Sequence, residues 1–190
     1  QPSGVSRIGS GQKIWLSIFG NVLVLISSVL GFLTLLVSIL SIEHARWITP
    51  QPSLVVTLVL ACLTGILLAN KRIPKKLVIP VVIVTGILVT FWQTVRLFTS
   101  TEEFSALQIW WQTLSSSQPS EVTIYFAILL LMATWFFGSF SLWFIVRSRN
   151  AWFCVISGAI MLLINLANLP RENYLFLFFY IMAAILLLGI

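Results

Sequence analysis

The chain has 190 residues, of which 59% are hydrophobic and only 8% are charged. A soluble domain typically has about 25% charged residues, because water must solvate its surface. This composition excludes a soluble globular fold. At about 20 apolar residues for each helix that crosses a bilayer, the sequence predicts an all-α, polytopic membrane protein with about six transmembrane helices.

The net charge of +6 does not indicate nucleic-acid binding. The cations lie at the ends of long apolar runs, where Lys and Arg contact anionic lipid headgroups and orient helices. Membrane lipids and proteins within the membrane are therefore the predicted partners, and nucleic acid is not.

The apolar runs divide the chain into a short tail and one helical membrane domain. Residues 1–13 are polar and basic and predict a cytoplasmic tail, and residues 14–190 form the membrane domain. We predict spans over about 14–42, 54–70, 77–97, 122–146, 151–169 and 174–190. Pro80 would lie in the first turn of the third span, where its missing N–H group matters least.

Two connections between spans carry tryptophans that suit the interface between membrane and water. The first turnaround contains Trp47 beside Pro50 and Pro52. The loop 98–120 is acidic, and its apolar residues, which include Trp110 and Trp111, recur at near-helical spacing. This spacing predicts an amphipathic helix that lies in the interface, with the tryptophans as anchors.

The distribution of cations predicts the orientation of the spans. Two unpaired cations lie in the tail, four in the turn 71–76 and two in the turn 147–149, whereas the intervening connections are neutral or acidic. Short basic loops stay in the cytoplasm, so this alternation predicts six spans with both termini cytoplasmic. The cations expected to meet lipid headgroups there are Lys71, Arg72, Lys75, Lys76, Arg147 and Arg149.

The sequence does not predict an enzyme or a bound cofactor. It has no aspartate and a single histidine, so it offers neither a Cys-His-Asp nucleophilic system nor a metal-ligand cluster. His44 is a weak candidate ligand for haem or for a chlorophyll magnesium, but an interfacial hydrogen-bonding role is favoured over ligation. Cys62 and Cys154 fall inside apolar runs and are expected to be buried free thiols.

Two asparagines in the fifth span have two interpretations. Asn165 and Asn168 are one helical turn apart, so they could line a polar path through the membrane. Asparagine more often hydrogen-bonds between helices as a structural contact, and we favour that interpretation.

The second half of the chain resembles a known family. The segment "WFFGSFSLWFIVRSRNAW" (135–152) is followed by "AIMLLINLANLP" (159–170) and a Tyr/Phe/Leu-rich span, and "EHARWITP" (43–50) precedes them. This arrangement resembles the amino-terminal membrane region of bacterial transglutaminase-like membrane proteins, which carry a papain-like Cys-His-Asp domain outside the membrane. The resemblance implies a location in the bacterial cytoplasmic (inner) membrane. No transglutaminase domain is present in these 190 residues, so no catalytic residue is carried over.

Three functions follow as hypotheses. The first is a non-catalytic anchoring and scaffold domain of a transglutaminase-like cell-envelope protein. The second is a small integral subunit of a larger membrane complex, such as a pigment- or haem-containing photosynthetic or respiratory complex. The third and weakest is a transporter of an uncharged solute, since no span has an ionisable residue in its middle third.

Overall fold

A computed structural model of the chain describes residues 10–45, 52–100, 121–167 and 174–190. Within these ranges the prediction of an all-α protein is confirmed, because the structure contains helices and no strand. The helices are α1 (Ser10–Ala45), α2 (Leu54–Leu68), α3 (Lys75–Ser100), α4 (Glu121–Ser148), α5 (Trp152–Leu166) and α6 (Tyr174–Leu188). One helix therefore lies at each apolar run of the sequence.

The helices fall into a long and a short class. The stretches Asn21–Ala45, Lys75–Arg96 and Phe126–Ser148 are long and apolar enough to cross a membrane. Helices α2, α5 and α6 have 15 residues each, which at 1.5 Å per residue is about 22 Å. The three long helices indicate a membrane protein, and the crossing by all six helices stays a prediction.

Most helix boundaries differ from the predicted spans by one to four residues, and the starts of α1 and α3 change the interpretation of nearby residues. Helix α1 begins at Ser10, within the predicted tail. Helix α3 begins at Lys75, directly after Pro74, so Pro80 lies inside the helix in its second turn and not in its first. Pro74 moves the start because proline stops α2 from continuing and is favoured beside the first turn of the next helix. Helix α3 also includes residues 98–100, and the rest of the predicted interfacial helix lies outside the described residues.

Three hydrogen bonds between helix termini show which ends of the helices meet. The guanidinium of Arg147, near the end of α4, donates to the Asn70 carbonyl after α2 at 2.7 Å. At the other end, the Val55 amide of α2 donates to the Glu43 carboxylate of α1 at 3.1 Å. Gln93 of α3 also donates there, to the Ser53 carbonyl at 3.3 Å. The turns that follow α2 and α4 therefore lie at one end of the bundle, which we call the basic end.

The bundle carries large apolar side chains on its outside, unlike a soluble protein, and small polar groups among the apolar residues of its inside. Leu67, Phe91 and Leu175 are each about two-thirds or more exposed, at 70%, 68% and 67%. Small hydroxyl side chains are buried between the helices, among them Thr34, Ser38, Ser41, Thr57, Thr134, Ser139, Ser141 and Ser157. An apolar exterior of this kind suits contact with lipid. Several of the buried hydroxyl groups donate to backbone carbonyls, as Thr34 and Ser38 do, whereas Thr134 and Ser139 have no hydrogen-bond partner among the described residues.

Helices α2 and α4 form the most extensive interface of the bundle. Their backbones approach closely because small residues meet there: a Cβ atom at Gly65 would collide with the backbone of Ser139. One turn away, a Cβ atom at Gly138 would lie 2.8 Å from the Cβ atom of Ala61. Ala61 and Gly65 thus form a small-xxx-small pair, a spacing typical of close helix packing in membranes.

Helix α3 contacts α4 through one large side chain. Trp135 of α4 is 1% exposed, and its indole N–H donates to the Val82 carbonyl at 2.9 Å. Gly86 provides the space, since a Cβ atom there would lie 2.7 Å from Trp135 Cδ1. A buried indole usually has such an acceptor for its N–H group, so this contact holds α3 on the bundle together with the hydrogen bond of Gln93.

Helices α5 and α6 pack on α1 and on each other, and hydrogen bonds join α5 to both neighbours. Ser38 of α1 donates to the Gly158 carbonyl of α5 at 3.1 Å. The hydroxyl group of Tyr180 on α6 donates to the Val155 carbonyl of α5. The core of the bundle is therefore built around α1 and α4, with α2 and α3 on one part and α5 and α6 on the other.

Candidate functional site

A cavity of about 400 Å³ opens at the basic end between α1, α6 and the turn from α4 to α5. One part of its wall is apolar, with Leu23 and Val24 from α1 and Leu187 from α6. The other part, which we call the polar wall, carries Arg149 and Asn150 from the turn, beside the apolar side chain of Trp152. Its volume is within the range of small-molecule sites, about 300–1,000 Å³.

The α4–α5 turn that forms the polar wall is tightly hydrogen-bonded. Arg149 has a φ of 51°, and its amide donates to the Ile145 carbonyl at 3.1 Å. The Asn150 side-chain oxygen accepts from the Trp152 amide at 2.9 Å and caps the start of α5. The left-handed conformation, which ends helices more often at glycine or asparagine, fixes the position of Arg149 beside the cavity.

The other arginine of this turn has a different contact. Arg147 donates to the carbonyls of Asn70 at 2.7 Å and Ala69 at 3.4 Å. These carbonyls lie beyond the last turn of α2, where backbone acceptors have no intrahelical donor. Arg147 is therefore a C-cap of α2 as well as a predicted headgroup contact, and it ties α4 to α2 at the basic end.

The turn 71–76 adds four cations at the same end. Lys71, Arg72, Lys75 and Lys76 are all exposed. Asn70 organises the turn, because its side-chain oxygen accepts from the Arg72 amide at 3.1 Å. The Arg147–Asn70 hydrogen bond places this turn beside the end of α4, so the two basic segments form one positively charged surface.

The opposite end of the bundle contains the predicted weak ligand His44. Its side chain is exposed, and its ring lies 5.8 Å from the ring of Phe176, between centroids. Within the part of the chain that the structure describes, no group of three His, Cys, Asp or Glu side chains could hold a metal ion. Nearby, Glu43 accepts from the Val55 amide and so caps α2 at its start.

Of the two predicted interhelical asparagines, the structure describes one. Asn165 is buried on α5, and its side-chain amide donates to the hydroxyl group of Ser41 on α1 at 2.7 Å. Asn168 lies outside the described residues, and so do the predicted interfacial anchors Trp47, Trp110 and Trp111.

Both cysteines are free thiols in the interior. Cys154 of α5 donates to the Gly31 carbonyl of α1 at 3.5 Å. This is a weak donor, so the thiol packs as a small apolar group with one added polar contact.

Sequence reasoning missed several residues that organise the bundle. The sequence does not predict the contacts of Trp135 and Gln93, and Gly65 is not among the predicted residues, although Ala61 and Gly65 have the four-residue spacing of close helix contacts. The roles of Trp135 and Gln93 depend on which carbonyl lies opposite them, which no sequence pattern reveals.

Comparison with protein-family models, with curated proteins and with solved structures found no match. The resemblance to transglutaminase-like membrane proteins therefore depends on the quoted segments alone. The chemistry that the described residues offer is that of a cationic membrane surface beside a cavity with one polar and one apolar wall.

Proposed function

We propose that this chain is a non-catalytic membrane domain that anchors and orients a protein of the bacterial cell envelope. The observation that carries the proposal is the distribution of polarity: large apolar side chains cover the outside, and the cations gather at one end. A bilayer accepts the first surface, and the second faces the cytoplasm because basic turns are retained there.

The buried polar groups favour an anchor over a transporter of an uncharged solute. Asn165 donates to Ser41, and Ser38 donates to the Gly158 carbonyl, so these polar atoms connect helices to each other. Thr34 donates within its own helix, to the Leu30 carbonyl at 2.8 Å. Asn165, Ser38 and Thr34 therefore serve the packing of the bundle.

The attached unit that we propose is a transglutaminase-like domain outside the membrane, as the resemblance implies. In this scheme the bundle crosses the inner membrane six times and has both termini in the cytoplasm. Its role is to keep the enzymatic unit close to a substrate of the envelope.

The orientation is tested with single cysteine tags at exposed positions of the two ends. We expect His44→Cys to react with a membrane-impermeant maleimide in intact cells, and Ser148→Cys to react only after the membrane is opened. Changing Lys71, Arg72, Lys75 and Lys76 together to glutamate should reverse this pattern or prevent insertion, because the basic turn would lose its cytoplasmic preference.

A variant in which the same four positions exchange Lys for Arg and Arg for Lys is the matched control, since it keeps the charge. It should label as the unmodified chain does. Release of the chain from membranes by alkaline carbonate, or equal labelling of both tags in intact cells, would contradict the proposal. Tight copurification with other membrane chains or with pigment would favour the complex-subunit hypothesis instead.

A further inference from the structure

The cavity at the basic end combines two surfaces that a phospholipid would contact together. Its polar wall carries Arg149, the one charged side chain among the described residues that line it. Its apolar wall carries aliphatic side chains of α1 and α6, with Ser27 as a polar residue among them. We propose that this cavity binds an anionic phospholipid, with the phosphate at Arg149 and an acyl chain along α1 and α6.

The charge of the polar wall selects an anion. Arginine presents several N–H donors in a planar arrangement that matches phosphate oxygens. The lining residues beside it, Ser148 and Asn150, are uncharged, and no acidic side chain lines the cavity within the described residues. Basic pockets between membrane helices at the cytoplasmic side are places where anionic headgroups bind.

The apolar wall distinguishes a lipid from a free anion. Leu23 of α1 is 43% exposed, and it lies on the same cavity as Leu187 and Leu188 of α6. Inorganic phosphate would leave this surface unused. An acyl chain would cover it and gain the favourable transfer of apolar surface out of contact with water and headgroups.

The backbone of Arg149 supports a specific role for its side chain. A φ of 51° is a conformation that favours glycine, and arginine has no local advantage there. The same turn places Arg147 against the end of α2, where it donates to the Asn70 carbonyl. The two arginines therefore have different contacts. Arg149 is the one beside the cavity.

The lipid-site proposal rests on the proposed membrane location. The experiment is designed so that failure of the lipid site can be distinguished from failure of the membrane location. Native mass spectrometry of the purified chain in detergent would measure binding of dioleoyl-phosphatidylglycerol against dioleoyl-phosphatidylcholine, which differ only in headgroup. We expect one bound lipid with a preference for phosphatidylglycerol of about five-fold, the effect of one cation near a headgroup. Arg149→Gly should bring the ratio close to one, and Arg149→Lys should keep most of the preference.

The variants also separate loss of binding from loss of folding. Arg149→Gly suits the left-handed backbone, so its thermal unfolding in detergent should be unchanged or raised. Arg72→Gln removes an exposed cation of the same end that does not line the cavity, and it should leave the preference intact. Leu23→Trp should reduce retention of both lipids by filling the apolar part.

Four outcomes would overturn the proposal. The first is an unchanged lipid ratio in Arg149→Gly, and the second is an equal loss of the phosphatidylglycerol preference in Arg72→Gln. The third is full competition by glycerol phosphate or inorganic phosphate, and the fourth is a lipid-free dimer of the chain. The first two would assign any preference to general surface charge, and the third to a free-anion site. Failure of the membrane proposal has a different signature, release of the chain by alkaline carbonate. A chain that stays in the membrane without headgroup preference contradicts the lipid site alone.

Discussion

The α2–α4 and α1–α5 interfaces hold their helices together in different ways. At α2–α4, glycine and alanine remove side-chain bulk, so that a Cβ atom at Gly65 would overlap the backbone of Ser139. At α1–α5, side chains bridge the helices, as Asn165 does to Ser41 at 2.7 Å. Lipid gives helices no hydrophobic reason to associate, so close packing and hydrogen bonds must supply the free energy.

The two interfaces are expected to be sensitive to different kinds of substitution. Close packing fails when volume is added, because the backbones must separate along the whole contact. A hydrogen bond fails when one partner is removed, and its loss in a membrane protein costs little, about 0.6 kcal/mol on average. The α2–α4 contact should therefore be the more sensitive of the two.

The largest effect is expected from Gly65→Leu. The added side chain must push α2 away from Ser139, which we expect to lower the free energy of unfolding by about 3 kcal/mol. Unfolding in mixed detergent micelles with increasing dodecyl sulfate would measure this change.

Val59→Leu is the matched control, because Val59 is exposed on the same helix. It should change the free energy of unfolding by no more than about 0.5 kcal/mol. A Gly65→Leu protein as stable as this control would show that the α2–α4 contact is looser than described.

A smaller effect is expected from Arg147→Met. The substitution keeps the length of the side chain but removes the donor to the Asn70 carbonyl. We expect a loss of about 1.5 kcal/mol, the lower value for a hydrogen bond to a charged group. Circular dichroism during the same detergent titration would report it. Arg72→Met is the comparison, since it removes an exposed cation of the same end; an equal loss there would mean that charge alone matters.

The smallest effect is expected from Asn165→Leu. Removing the donor to Ser41 should cost about 1 kcal/mol, within the range measured for hydrogen bonds between membrane helices. A double-mutant cycle with Ser41→Ala isolates the pair. If the two losses simply add, the hydrogen bond contributes nothing, and the α1–α5 interface would have to be explained by packing.

The sequence predicted the positions of the helices well, because the apolar runs that indicate each helix are continuous in the sequence. Long apolar runs, most of them bounded by cations or prolines, define the six helices, and the all-α class follows from them. The start of α3 was misjudged because Pro74 could either end α2 or begin α3, and the structure places it directly before Lys75.

The contacts between helices were less predictable, for a physical reason. Arg147 was assigned to lipid headgroups, but its additional role depends on the Asn70 carbonyl, which is far away in sequence. The cavity beside Arg149 likewise needs α1, α6 and the α4–α5 turn together. Charge counting reveals that a cation lies at a helix end, and only the fold reveals what it faces.

The unequal helix lengths have a consequence for the surrounding membrane. Helices α5 and α6, with 15 residues each, are about 22 Å long, against a hydrocarbon core of about 30 Å. If both cross, the bilayer beside them becomes thinner or flanking side chains extend to the interface, and each ångström of mismatch costs a fraction of a kcal/mol. Such a cost sorts proteins laterally, so these two helices would draw the molecule towards membrane regions of short acyl chains.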